Sequence, residues 1–82
     1  MVHPLSKIII YTAPHCSYCR MAKAFFRKHE VEFEERDVSR SHEYFHEMTR
    51  KSHQRGVPVV DVGGEVFVGF DRPALEKAIG LE

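Results

Sequence analysis

The 82-residue sequence holds only two cysteines, Cys16 and Cys19. A small extracellular domain stapled by disulfides usually carries four to eight, so a permanent covalent framework is not expected. No stretch approaches the ~20 apolar residues of a membrane-spanning helix. The N-terminal segment "MVHPLSKIIIY" has too short an apolar core for a secretory signal, so the expected location is the cytoplasm, away from membranes. An excess of charge is also missing. Twelve Lys and Arg balance twelve Asp and Glu, whereas a nucleic-acid binder usually carries a basic surplus. Repeats, linkers and low-complexity segments are absent, so residues 1–82 read as one domain. A chain of this length buries about 60–65% of its unfolded surface and folds alone with little margin.

Hydrophobic residues at 43% and charged residues at 29% suit a globular chain. "KIIIY" (Lys7–Tyr11) is a β-branched run of the kind buried on both faces of a sheet. From Ser17 to about Glu30 the periodicity turns helical, with Tyr18, Ala22, Phe25 and Phe26 on one side. "VEFEERDV" alternates Val31 and Phe33 with glutamates and predicts a second strand. Ser39 or Ser41 can cap a second helix running to about His53, with Tyr44, Phe45 and Met48 inward and Gly56 as its stop. "VPVVDV" and "EVFVGF" predict two strands joined by the Gly63–Gly64 hairpin turn. Asp71 is placed to cap a last helix, with Leu75, Ala78 and Ile79 facing inward. The order β-α-β-α-β-β-α predicts an α/β fold with a four-stranded mixed sheet and helices on both faces.

The spacing Cys-x-x-Cys suits a structural pair, half of a zinc site or a redox couple. A closed zinc site needs four ligands and no second cysteine pair exists. Placement favours the redox couple, because Cys16 falls where a buried strand ends and a helix begins. The unpaired N–H groups and positive partial charge of a helix N-terminus stabilise a thiolate there, with Arg20, Lys23 and His15 as candidate contributors. Cys19, one turn inside the helix, is expected to be more buried. Cys16 then attacks a disulfide and Cys19 resolves the mixed disulfide. Downstream, Val57–Pro58 opens a strand, either as an ordinary strand-start proline or as a cis bond lying against Cys16.

In this combination (strand, "CSYC", helix, strand, helix, "GVPVV", "GG", "VGFD", helix) the sequence resembles the glutaredoxin branch of the thioredoxin superfamily over essentially its whole length. It is most similar to small bacterial glutaredoxin-like forms, including electron donors of ribonucleotide reductase. The resemblance implies a thioredoxin-like fold and a thiol–disulfide oxidoreductase acting on protein disulfides or glutathione mixed disulfides. It makes Cys16 the nucleophile, Cys19 the resolving thiol and Pro58 the cis-proline. Tyr18, Val57, Gly69 and Asp71 would border the groove for glutathione or another thiol substrate. No tightly bound cofactor or metal is implied, and a monomer is expected. Glutathione is the expected reductant and thioredoxin reductase the alternative. Two positions depart from the pattern: Ala13 stands where glutathione-using members often have lysine, and Ser17 replaces the usual proline. "GFD" is also shorter than the family's usual segment at that place, and Arg55 or Lys51 is left to meet a glycyl carboxylate. Some relatives with serine at the Ser17 position bridge a [2Fe–2S] cluster, so a cluster carrier is the non-enzyme alternative.

One competing pattern is "HEYFH", a His-Glu-x-x-His on a helix, which in metalloproteases binds zinc with the glutamate as general base. A third ligand is wanting at the usual spacing, and inward-facing Phe45 and Met48 leave His42 and His46 on the helix surface. A solvated polar face is the expected reading.

Overall fold

The computed structural model describes residues 7–80. The N-terminal part of the segment weighed above as a signal, residues 1–6, lies outside them. The run of isoleucines forms β1 (Ile8–Thr12), and all five residues are buried. A strand sends alternate side chains to opposite faces. Ile8 and Ile10 therefore enter one hydrophobic cluster and Ile9 and Tyr11 another. The sheet order is β2-β1-β3-β4, with β2 (Glu34–Asp37) parallel to β1, and β3 (Val59–Val62) and β4 (Glu65–Val68) added antiparallel.

Helix α1 (Ser17–Lys28) buries Cys19, Ala22, Phe25 and Phe26, a stripe at helical spacing. With Leu75 in the middle of α3 (Arg72–Ala78) and Ile79 at its C-cap it covers the Ile8/Ile10 face. Helix α2 (His42–Ser52) covers the Ile9/Tyr11 face through Met48, supported by Phe45. Each fully buried phenylalanine or leucine contributes about 1.5–3 kcal/mol of apolar transfer free energy. This is the expected fold, a mixed four-stranded sheet in thioredoxin-like order with helices on both faces.

Two boundaries and one stop residue differ from the sequence expectation. Helix α1 ends at Lys28 rather than Glu30, because Glu30 takes a left-handed backbone (φ 58°) and the Val31 N–H closes onto the Phe26 carbonyl at 2.9 Å. Val31 and Phe33 do pack on the core, but ahead of the strand, which pairs with β1 only from Glu34. Helix α2 ends at about His53 as expected, but the residue that stops it is His53 itself, left-handed (φ 58°), and not Gly56 three residues on. At its start Ser41 is the cap, accepting from the Tyr44 N–H at 3.1 Å, while Ser39 is tied to Asp37.

β2 is an edge strand and its charges are paired outward. Glu34 accepts from Arg36 at 2.7 Å and lies 3.0 Å from Lys7. The Arg36 guanidinium, then Lys7, holds the Glu34 carboxyl down at about 2. A carboxyl lowered in the folded state gives stability that is present above its unfolded value and lost as pH falls toward the folded one. Glu34→Gln is therefore expected to flatten the acid limb of the thermal-stability profile between about pH 4.5 and about pH 2. An unchanged limb would refute this.

Candidate active site

The register brings one end of every strand to the same edge. Thr12 at the end of β1 pairs with Asp37 at the end of β2, and Tyr11, Val59 and Val68 form a row across β1, β3 and β4. All three helices begin just beyond this edge, so their N-termini, each a concentration of unpaired N–H groups, are gathered there.

Cys16 occupies the first of these positions. The Pro14–His15 turn sets His15 in the left-handed region (φ 61°), a conformation costing roughly 1 kcal/mol for a residue other than glycine. The chain then extends through Cys16 (φ −107°, ψ 106°), which is the N-cap of α1. Its sulfur accepts the Cys19 N–H at 3.2 Å, and its carbonyl accepts the Arg20 N–H at 3.2 Å. Cys16 and Cys19 are joined as a disulfide with their Cα atoms 5.2 Å apart. The two sulfurs are unequal in access. Cys16 is half-buried, whereas Cys19 is 1% exposed and packed beneath the helix.

Pro58 follows a cis Val57–Pro58 bond and is buried. It immediately precedes Val59, the partner of Tyr11, which places it at the edge where the loop to Cys16 leaves β1. Its carbonyl accepts the Gly69 N–H at 2.8 Å. Gly69 has φ 80°, a left-handed backbone that suits glycine. Tyr18 projects beside the cysteines and is 61% exposed. Asp71 spends one carboxylate oxygen on the Ala74 N–H (3.3 Å) as the cap of α3. Cys16, Tyr18, Val57, Pro58, Gly69 and Asp71 thus share one edge of the molecule. Among the described residues, neither the N–H nor the C=O of Val57 has a hydrogen-bond partner.

Two expected contributors are committed elsewhere. Lys23 reaches Glu35 (2.9 Å), which also accepts the Thr12 hydroxyl at 2.8 Å. Lys23 first, then Thr12, keeps the Glu35 carboxyl below its ordinary range. Its charge is therefore compensated rather than aimed at Cys16. Lys51 turns inward, its ammonium 2.8 Å from Asp61 and 2.7 Å from the Tyr11 hydroxyl, so of the two rim cations only Arg55 is exposed. His42 and His46 are exposed on α2, and no group of three or more metal-ligating side chains occurs among the described residues.

The polar group beneath α2 escaped the sequence reading. It comprises Lys51, Asp61, Tyr11 and Glu47, with Arg36 bonded to Glu47 at its outer end. A signal was there: Asp61 alternates with Val60 and Val62 in a buried strand, and Lys51 lies one turn after Met48.

The glutaredoxin family model matches residues 8–67. A glutaredoxin-like 8.6 kDa protein from the rubredoxin operon of Clostridium pasteurianum is 32% identical over 72 residues, covering 88% of this chain and 96% of that one. A glutaredoxin of Neisseria meningitidis is 36% identical over 80 residues, covering 95% and 94%. Among solved structures, the thioredoxin-like protein BC3987 superposes with a TM-score of 0.84 at 30% identity, covering 88% and 99% of the two chains. The glutaredoxin of Archaeoglobus fulgidus superposes with a TM-score of 0.81 over 92% and 87%, at 21% identity, and shows likeness of fold.

Proposed function

The chain belongs to the glutaredoxin family and is a thiol–disulfide oxidoreductase, and from that premise we propose that it reduces protein disulfides or glutathione mixed disulfides with glutathione as its electron source. The observation that carries this reading is the asymmetry of the pair. Cys16, half-open at a helix N-terminus, is the sulfur that a substrate can reach, and Cys19 lies behind it within bonding reach.

After reduction, the N–H of Cys19 and the other free N–H groups of the first turn favour a thiolate at Cys16. The thiolate attacks one substrate sulfur; the substrate S–S bond breaks and the other sulfur departs as a thiolate. Cys19, deprotonated, attacks Cys16, releases the second substrate thiol and closes the Cys16–Cys19 disulfide. Two glutathione molecules return the two electrons and leave as glutathione disulfide. The backbone of Val57, which has no partner among the described residues, lies beside Pro58 where an extended thiol peptide could bond it, and Tyr18 walls the same groove. Arg55, two residues before Val57, is the cation available to a glycyl carboxylate. Gly69 holds the Pro58 strand and Asp71 leaves one oxygen for an ammonium group.

The oxidised protein is to be offered NADPH with either glutathione and its reductase, or thioredoxin reductase. Faster NADPH consumption in the glutathione arm is expected. Arg55→Glu should raise the KM for glutathione about five- to tenfold, as loss of one charge-assisted contact would. Reduction by thioredoxin reductase alone would refute glutathione as reductant, with the cytoplasmic dithiol role then resting on that enzyme.

A further inference from the structure

The geometry points to a docking groove along α1 for acidic substrate segments that carry a large apolar side chain about four residues from the reacting cysteine. This deepens the oxidoreductase reading and rests on it. Tyr18, Met21 and Phe25 follow one another at one-turn spacing on α1, beginning between the two cysteines. Tyr18 and Met21 are 61% and 48% exposed, unusual for large apolar side chains lying together on so small a surface. Beyond Met21 the stripe drops into an open groove of about 240 Å³ lined by Met21, Ala24, Phe25, Lys28, Phe70 and Arg72. Phe25 and Phe70 form its floor, with ring centroids 5.9 Å apart.

Charge identifies the occupant. Helix α1 carries Arg20, Lys23, Arg27 and Lys28 and no acidic residue, although the chain as a whole is neutral. Lys23 is neutralised by Glu35, and Arg27 lies over the Phe33 ring on another side. Lys28 and Arg72 remain at the groove, and among the described residues Lys28 has no ion pair. Arg72 is 3.4 Å from Glu76 but exposed, where such a pair is weak. An apolar floor with a basic rim favours an apolar anchor with acidic neighbours.

The distance sets the register. Helical rise puts the groove about 12 Å along α1 from Cys16, which an extended chain spans in about four residues. A concave groove about 12 Å from the reactive sulfur, with exposed Tyr18 and Met21 between them on α1, fits a peptide better than the flat contact of an anionic membrane.

The test uses the dithiol protein in single turnover against synthetic peptides, each with one cysteine capped as its mixed disulfide with 2-mercaptoethanol. The peptides carry phenylalanine four residues from the cysteine on both sides, flanked by aspartates or by lysines, and a third set replaces phenylalanine with serine. Bis(2-hydroxyethyl) disulfide serves as the small neutral reference. The acidic phenylalanine peptide is expected to react about tenfold faster than either the lysine or the serine peptide at low salt. Lys28→Glu with Arg72→Glu should abolish the charge preference and Met21→Ser the phenylalanine preference, with the reference rate and thermal stability retained. Equal rates across the peptides would overturn the groove and leave the oxidoreductase reading intact. Failure to reduce even the reference would overturn both. Sedimentation with phosphatidylserine vesicles through Lys28 and Arg72, without peptide discrimination, would assign the surface to lipid and also overturn the inference.

Discussion

Cys16→Ser is expected to lower turnover by on the order of a thousand-fold or more, the scale of losing a nucleophile, whereas Cys19→Ser should convert the protein into a trap. The two outcomes follow from position rather than from the motif. Cys16 caps α1 and is open to solvent on one side, while Cys19 is 1% exposed and points under the helix. A substrate sulfur approaching this edge meets Cys16. The mixed disulfide so formed is cleared internally only by the Cys19 thiolate, already held within bonding reach. With serine at 19, clearance depends on an outside thiol, and mass spectrometry of protein exposed to a disulfide substrate should show one substrate thiol added per chain. With serine at 16 no adduct should form. If Cys16→Ser forms the adduct and Cys19→Ser does not, the roles are reversed. The same pair of variants bears on the cluster-carrier alternative, since a cluster held through Cys16 would survive Cys19→Ser and show visible absorbance in anaerobically purified protein.

Much of this edge was legible in the sequence because the features that build it are local. A β-branched run, a break, and a helix beginning at the second residue of "CSYC" are enough to place Cys16 at a cap and Cys19 one turn inside. The double glycine marked the hairpin, and both glycines take positive φ (58° and 104°) as such a turn requires. What failed was decided by tertiary partners. Val31 and Phe33 alternate like a strand and bury like one, yet strand pairing depends on whether β1 is alongside, and it is alongside only from Glu34. Gly56 looked like the stop of α2, but the left-handed position falls at His53, where the helix meets the Ser52–Gln54 turn. Lys51 reads, with Arg55, as a cation for a glycyl carboxylate because a lysine near a helix end is usually solvated. Its commitment to Asp61 depends on how α2 is rotated over the sheet.

That commitment carries the largest stability effect expected outside the hydrophobic core. Asp61 sits in β3 between Val60 and Val62, 8% exposed, and its alternation directs it toward α2. One oxygen accepts the Gly64 N–H of the hairpin turn at 2.7 Å and the other accepts from Lys51 at 2.8 Å. The Tyr11 hydroxyl accepts from the same ammonium and donates to Glu47 at 3.1 Å. Burial by itself pushes the Lys51 ammonium down; the bonds from Asp61 and then Tyr11 overcome it and leave the pKa raised. Lys51→Met keeps an unbranched apolar side chain of similar length and removes the ammonium that lies 5.0 Å from the Tyr11 ring centroid, leaving Asp61 buried without its counter-ion. Breaking a buried pair costs about 3–5 kcal/mol. Because the Lys51 side chain is 30% exposed, solvent softens the loss to about 2 kcal/mol. For a chain of this size that corresponds to a fall in Tm of about 10 °C, read by calorimetry. Adding Asp61→Asn should restore most of it, because the amide oxygen still accepts from Gly64 and no buried charge is left unpaired. If the single variant melts no lower than the double, the pair does not hold α2 to the sheet.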